Sequence, residues 1–229
     1  MKEKLKGIKG VVFDMDGLMF DSERVVQYAW NAVGEQMGYG LLGDENICHT
    51  IGFNVVRRAA YFREKYGEDF PFEEFQKRYR QAYYDYVRER KVPPKEGLHE
   101  LLKVLRQKGI PMAIATSSSP AHARKSVEDE GIEDYFTGMV TGDMVTEGKP
   151  SPEIYLKACA LLGVQPEEAL ALEDSIHGIR SAHNAGMVTV MVPDLVKDSS
   201  PVDDILDGKA QSLAEVAQWV KGEQDDEES

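Results

Sequence analysis

The chain has 229 residues, of which 42% are hydrophobic, with 40 acidic against 27 basic side chains and a net charge of −13. That apolar share supports a sizeable core and excludes a wholly disordered chain. The acidity disfavours nucleic acid and membrane surfaces as partners, because a negative surface repels phosphates and anionic lipid. No run approaches the roughly 18 consecutive apolar residues of a membrane helix. The segment Met1-Lys2-Glu3-Lys4-Leu5-Lys6 is charged rather than apolar, so no signal region is read there and a cytoplasmic location is expected. Two cysteines, Cys48 and Cys159, have no metal-type spacing and are expected to be buried, reduced thiols. The length exceeds the usual domain mode of roughly 100–150 residues, which implies one large domain or a domain with an insertion.

In chain order, the first apolar run is Ile8 to Phe13. The stretch 23–94 that follows has no β-type run. It carries helical patterns near 22–37, 53–66 and 72–90, ends on the stiff pair Pro93-Pro94, and holds 14 of the 20 aromatic residues. It therefore has the means for a core of its own and reads as an inserted helical cap, with 11 acidic and 11 basic side chains in balance. Further apolar runs follow at Met112 to Ala115, Ala169 to Leu172 and Val188 to Val192, with an extra strand near Met139–Thr141. Runs of Val, Ile, Leu and Ala without polar alternation suit strands covered on both faces of a parallel sheet.

Helical patterns between these runs are punctuated by Ser119-Pro120 and Ser151-Pro152 at starts and by Gly131 and Gly163 at ends. A further helix is capped by Ser175 and ended by Gly186. Alternation of strand and helix predicts an α/β fold, a doubly wound parallel sheet with a Rossmann-like core. The expected division is a catalytic core of 1–22 plus 95–221, a helical cap of 23–94, and an acidic disordered tail of 222–229.

In such a sheet, ligands bind beyond the carboxyl ends of the strands. The first run ends in Asp14-Met15-Asp16-Gly17, the second in Thr116-Ser117-Ser118-Ser119 and the later one in Glu173-Asp174-Ser175, while Lys149-Pro150 follows the extra strand. Parallel strands would gather four acids, a hydroxyl and an ammonium on one sheet edge. Each piece alone has a bland reading: turn formers at Asp14 and Asp16, a helix cap at Thr116, a solvated Lys149. A calcium loop starting at Asp14 fails, because its closing position is Val25 rather than glutamate.

The order Asp14-x-Asp16-Gly17, Thr116, Lys149-Pro150 and Glu173-Asp174 resembles the four motifs of the haloacid dehalogenase superfamily of phosphotransferases. The stretches Phe13–Glu23, Gly148–Glu153 and Leu172–Ser175 resemble its β-phosphoglucomutase-like branch. The resemblance implies an Mg²⁺-dependent phosphatase acting on a small phosphorylated metabolite, a sugar or polyol monophosphate. Asp14 would be the nucleophile forming an aspartyl phosphate and Asp16 the acid and then the base. Thr116, Ser117 and Lys149 would bind phosphate. Asp14, the Asp16 backbone carbonyl and Asp174 would hold the metal, with Glu173 as a further ligand or support. The demand is physical: at ~4 Å and an effective dielectric near 20, each like-charge pair costs about 4 kcal/mol, so a carboxylate facing a phosphate dianion needs cationic help. A carboxylate at Asp16 favours phosphate chemistry over dehalogenation, since a halide leaving group needs no proton.

For the cap, with Gly52 taken as its loop glycine, the position of the mutases' phosphate-gripping arginine is Val55, and that of their cap histidine is Val26. Missing grip residues favour a phosphatase. A β-phosphoglucomutase-type sugar phosphomutase is the alternative, because Arg57 and Arg58 lie nearby. His49, Asn54 and Arg57 are the candidate substrate contacts. A non-enzymatic phosphoacceptor module shares the strand-end chemistry, but it has no use for a cap or for a second acid at Asp16. The basic and aromatic run Lys77–Tyr84 is flanked by acids and spaced for packing rather than for nucleic acid. A monomer is expected, His177 and His183 fall on different helix faces, and neither His99 nor His122 carries a signal.

Overall fold

A computed structural model describes residues 5–51, 53 and 55–222. The chain divides into two units: one ends at Phe20 and resumes at Pro94, and the other is Asp21–Pro93. Of the expected acidic tail at 222–229, all but Gly222 lies outside the described residues.

The first unit is built on strands β1 (Gly10–Phe13), β2 (Met112–Ala115), β3 (Gly138–Val140), β4 (Ala169–Glu173), β5 (Val188–Met191) and β6 (Gly208–Lys209). They form one parallel sheet in the order β3-β2-β1-β4-β5-β6. β1, β2 and β4 are buried at every residue, as expected of strands covered on both faces. The chain winds outward from β1 through β2 to β3, then returns to the other side of β1 for β4, β5 and β6. The direction of winding therefore reverses between β1 and β4, and a crevice at such a reversal is where α/β sheets place ligands.

Four of the strands lie within a few residues of the sequence expectation, and the extra strand near 139–141 is β3. The two-residue β6 was not foreseen, because so short a strand carries no periodic signal. The helices of this unit are numbered after those of the other: α5 (Leu98–Gln107), α6 (Pro120–Glu130), α7 (Glu153–Leu162), α8 (Ile176–Asn184) and α9 (Leu213–Lys221). Ser175 caps α8 by accepting from the Gly178 backbone N–H, and Gly131 and Gly163 end α6 and α7 in the left-handed conformation. Ser119 occupies the N-cap of α6, but no cap bond from its side chain forms there. Helix α7 starts one residue later than the Ser151-Pro152 pattern suggests, with Pro152 at its N-cap.

The second unit comprises α1 (Ser22–Met37), α2 (Leu42–Thr50), α3 (Val55–Tyr66) and α4 (Phe72–Glu89). Its core is aromatic: Trp30 meets Phe62, Phe75 and Tyr79 edge-on at 5.3–5.7 Å, geometry favoured by the ring quadrupoles. Helix α1 buries Val25, Ala29, Trp30 and Val33 at helical spacing, and α4 buries Phe72, Phe75, Tyr79 and Tyr83, so the aromatic run at 77–84 is a packing stripe. Helix α2 was not predicted, because Gly43, Asp44 and Asn46 weaken its apolar stripe. Tertiary contacts replace the missing propensity: Asp44 accepts from Gln27 and Asn31, and its own backbone N–H donates to Asn31. Of the two cysteines, Cys159 is buried but Cys48, on α2, is exposed, which corrects the expectation of two buried thiols. No helix among the described residues is long and apolar enough to cross a membrane.

Candidate active site

Asp14 leaves the end of β1, with its backbone N–H bonded to the Leu172 carbonyl of β4. Glu173 ends β4 and Asp174 follows it, so the three acids meet at the reversal point. One carboxylate oxygen from each lies within 4.8 Å of the others, and all three are buried, at 7%, 0% and 3% exposure for Asp14, Glu173 and Asp174. Lys149 reaches between them. Its Nζ donates to Asp14 Oδ1 at 2.5 Å, to Glu173 Oε1 at 2.6 Å and to the Ala115 carbonyl at 3.2 Å.

Three buried carboxylates against one ammonium leave an excess of negative charge that water cannot solvate. Burial pushes the Asp14 carboxyl well above its ordinary range; Lys149 pulls it down, while Glu173 pushes it up again. Burial alone would lower the Lys149 pKa, but Asp14 and Glu173 outweigh it and hold the ammonium protonated. The donor set suits a hard divalent cation, which takes carboxylate oxygens and balances two charges.

Not every acid is equally available. Glu173 Oε1 accepts from Lys149 and from the Tyr155 hydroxyl at 2.7 Å, and Oε2 accepts from the Asp174 and Ser175 backbone N–H groups and from Ser175 Oγ. Five donors thus fix one carboxylate. Burial and the charge of Glu173 raise the Tyr155 pKa, so its hydroxyl stays a donor.

Two glycines make room for these acids. A Cβ on Gly178 would lie 1.8 Å from Glu173 Oε1, and one on Gly17, whose φ is +88°, would lie 2.2 Å from Asp174 Oδ2.

Asp16 stands slightly apart and is partly exposed. Its Oδ2 accepts from Ser118 Oγ at 2.7 Å and from Thr116 Oγ1 at 3.4 Å. His122 Nε2 lies 3.7 Å from its Oδ1. Burial would lower the His122 pKa, but Asp16 more than offsets this and raises it. The Thr116 hydroxyl also accepts from the Ser118 N–H at 3.0 Å, folding the 116–119 loop tightly before α6, while Ser117 remains exposed on it.

The structure therefore brings Asp14, Lys149, Glu173 and Asp174 into direct proximity and joins Asp16 to Thr116. In the second unit, His49 on α2 stacks on Tyr61, with centroids 6.3 Å apart, and Tyr61 meets Phe53. The Arg57 guanidinium lies 3.9 Å above the Phe53 ring. Gly52 and Asn54 lie outside the described residues. Arg58 is engaged within its own unit, donating to the Tyr79 hydroxyl and the Phe53 carbonyl and lying over Trp30.

Sequence reasoning missed Tyr155, Gly178, Ser118 and His122. Gly178 had a signal of its own, because glycine in a helix costs about 1 kcal/mol relative to alanine and so asks for a reason.

Together, the reversal-point acids, the buried lysine and the hydroxyl loop gather charge and hydrogen-bond donors at the strand ends, where α/β sheets place ligands. A family model for haloacid dehalogenase-like hydrolases matches residues 11–192. A phosphoglycolate phosphatase of Chromobacterium violaceum is 32% identical, over 95% of this chain and 98% of that one. A phosphorylated carbohydrates phosphatase of Thermotoga maritima is 30% identical, over 95% and 96%. The crystal structure of CbbY from Rhodobacter sphaeroides in complex with phosphate superposes with a TM-score of 0.76 at 27% identity, covering 91% of this chain and 96% of that one. The chain belongs to the haloacid dehalogenase-like hydrolases, and the relatives at this level of identity place it with the phosphoric monoester hydrolases.

Proposed function

We propose that this protein is an Mg²⁺-dependent phosphatase of a small sugar or polyol monophosphate that works through an aspartyl phosphate on Asp14. The observation that carries the reading is the buried pairing of Asp14 with Lys149, beside Asp174 and two residues before a second, hydroxyl-held acid. Asp14, Asp174 and the Asp16 backbone carbonyl are the proposed metal ligands. Glu173 is the weaker ligand candidate, because both of its oxygens are already taken by donors. When bound, the ion would neutralise phosphate charge and so lower the cost of bringing two anions together.

The chain's own residues do the rest. Lys149 offsets charge on the nucleophile and on the incoming phosphoryl oxygens. Thr116 and Ser117, on the loop that leads into α6, supply hydroxyl and N–H donors to those oxygens. Asp14 attacks phosphorus in line as the P–O bond to the alcohol breaks, and Asp16 gives its proton to the departing alkoxide. Asp16, now a base, takes a proton from water; the resulting attack on phosphorus breaks the Asp14–phosphate bond and releases inorganic phosphate.

The relatives named for phosphorylated carbohydrates and phosphoglycolate support a small phosphorylated substrate. The internal engagement of Arg58, which donates to the Tyr79 hydroxyl and the Phe53 carbonyl, is against its serving as a second phosphate grip and supports hydrolysis over mutase chemistry. The test is a panel of phosphorylated metabolites read by phosphate release. Asp14→Asn should lower turnover by ~10³-fold or more, and a chelator should abolish it reversibly. Full activity in Asp14→Asn would overturn the reading. With β-glucose 1-phosphate, the product should be free phosphate rather than glucose 6-phosphate.

A further inference from the structure

Asp16 has a positional problem that Asp14 does not. Asp14 is clamped between strands and a lysine, whereas Asp16 has already left β1 and its side chain is 28% exposed. Its backbone is held, since Gly17 N–H donates to the Phe20 carbonyl and Asp16 bridges to Phe20, but backbone bonds do not fix χ angles. A proton donor gains from its acid only when the carboxyl is within reach and correctly turned.

We propose that Ser118 and His122 form a two-sided clamp that turns the Asp16 carboxyl toward the leaving group, His122 acting as a positioning residue. Ser118 lies on the loop after β2 and His122 in the first turn of α6, so the loop and the helix that follows it present both to the same carboxyl. They take opposite oxygens: Ser118 Oγ donates to Oδ2 at 2.7 Å, while His122 Nε2 stands 3.7 Å from Oδ1. The His122 side chain is only 17% exposed, so its ring is held in place rather than swinging in solvent. His99 shows the contrast: it is 57% exposed and pairs with Glu130 on the surface. The segment 116–122 would then serve twice, gripping the phosphoryl oxygens through Thr116 and Ser117 and steering the acid through Ser118 and His122.

The inference rests on Asp16 being the proton donor, and the test separates the two ideas. The kcat/KM values for p-nitrophenyl phosphate, phenyl phosphate and glycerol 3-phosphate grade the leaving group from one that departs unaided to one that needs a proton. His122→Ala and Ser118→Ala should each lose about 10-fold or more on glycerol 3-phosphate beyond any loss on p-nitrophenyl phosphate, part of the roughly 10²–10⁴ that proton transfer contributes. His122→Asn keeps an N–H donor and should recover part of that selective loss, which a purely packing role would not predict. It also serves as the folded variant if alanine is not tolerated. His99→Ala should change nothing. A uniform loss across the three substrates in both His122 variants, alongside a selective loss in Asp16→Asn, would overturn the clamp and leave the acid intact. No selectivity in Asp16→Asn would overturn the acid and the clamp with it.

Discussion

The two units bury polar chemistry in opposite ways. In the sheet unit, Asp14, Glu173 and Asp174 meet at the reversal point of a parallel sheet, with Lys149 paired to the first two. In the helical unit, the centre is a cluster of Trp30, Phe62, Phe75 and Tyr79. The buried polar groups described there are neutral, among them Asn46, whose amide donates to Leu42 O and Tyr66 OH and accepts from Tyr61 OH and Lys65. A charged centre is costly to assemble and is kept where chemistry needs it. An aromatic centre supplies packing to a unit too small for a large aliphatic core. The sheet unit therefore holds a charged centre, and the helical unit a packed aromatic one.

This contrast can be broken most sharply at Lys149. Lys149→Met should leave the Asp14 and Glu173 carboxylates buried without their ammonium, cost ~3–5 kcal/mol in urea unfolding and abolish phosphate release together. Separation of those two losses would show that the lysine serves only one purpose.

Trp30→Ala should cost a similar ~3–5 kcal/mol through the cavity it opens. Its loss should fall on the helical unit, so hydrogen exchange should accelerate across 22–89 while the strands stay protected. Exchange rising equally in β1 and β4 would mean that the two units unfold as one.

Gly178→Ala should cost about 1–3 kcal/mol by overpacking, because its Cβ would meet the Glu173 carboxylate. Phosphate release should fall with it as the lysine loses its support. An alanine variant with unchanged activity would show that Glu173 can move at no cost.

The smallest effect concerns the cysteines. Burial, with a contribution from Glu167, pushes the Cys159 thiol up to about 11, while Cys48 is exposed on the helical unit. Since the thiolate is the reacting form, iodoacetamide at pH 8 should modify Cys48 first, and Cys159 should follow only as pH rises toward that value or as the fold opens. Mass spectrometry of the labelled peptides reads the order.

Much of this was legible in sequence because the sheet unit writes its design locally. Apolar runs without alternation mean buried parallel strands, and acids placed directly at their ends must converge once the strands are parallel. That reasoning located Asp14, Asp16, Thr116, Lys149, Glu173 and Asp174. The aromatic content of 23–94 announced a second core in the same way. Helix α2 escaped because its stability comes from Asn31 and Gln27 on another helix, and β6 escaped because two residues carry no period.

What the sequence determined by itself is the fold class, the family and the identity of the charged residues, since each depends on local pattern and chain order. Only the tertiary structure decided how those charges are shared. That Glu173 is saturated by five donors, that Gly178 exists to let it sit there, and that His122 comes within 3.7 Å of an acid 106 residues away depend on distances that no spacing encodes. Hydrogen bonding is short-ranged and directional, so which donors each acid meets is decided where the chain meets itself.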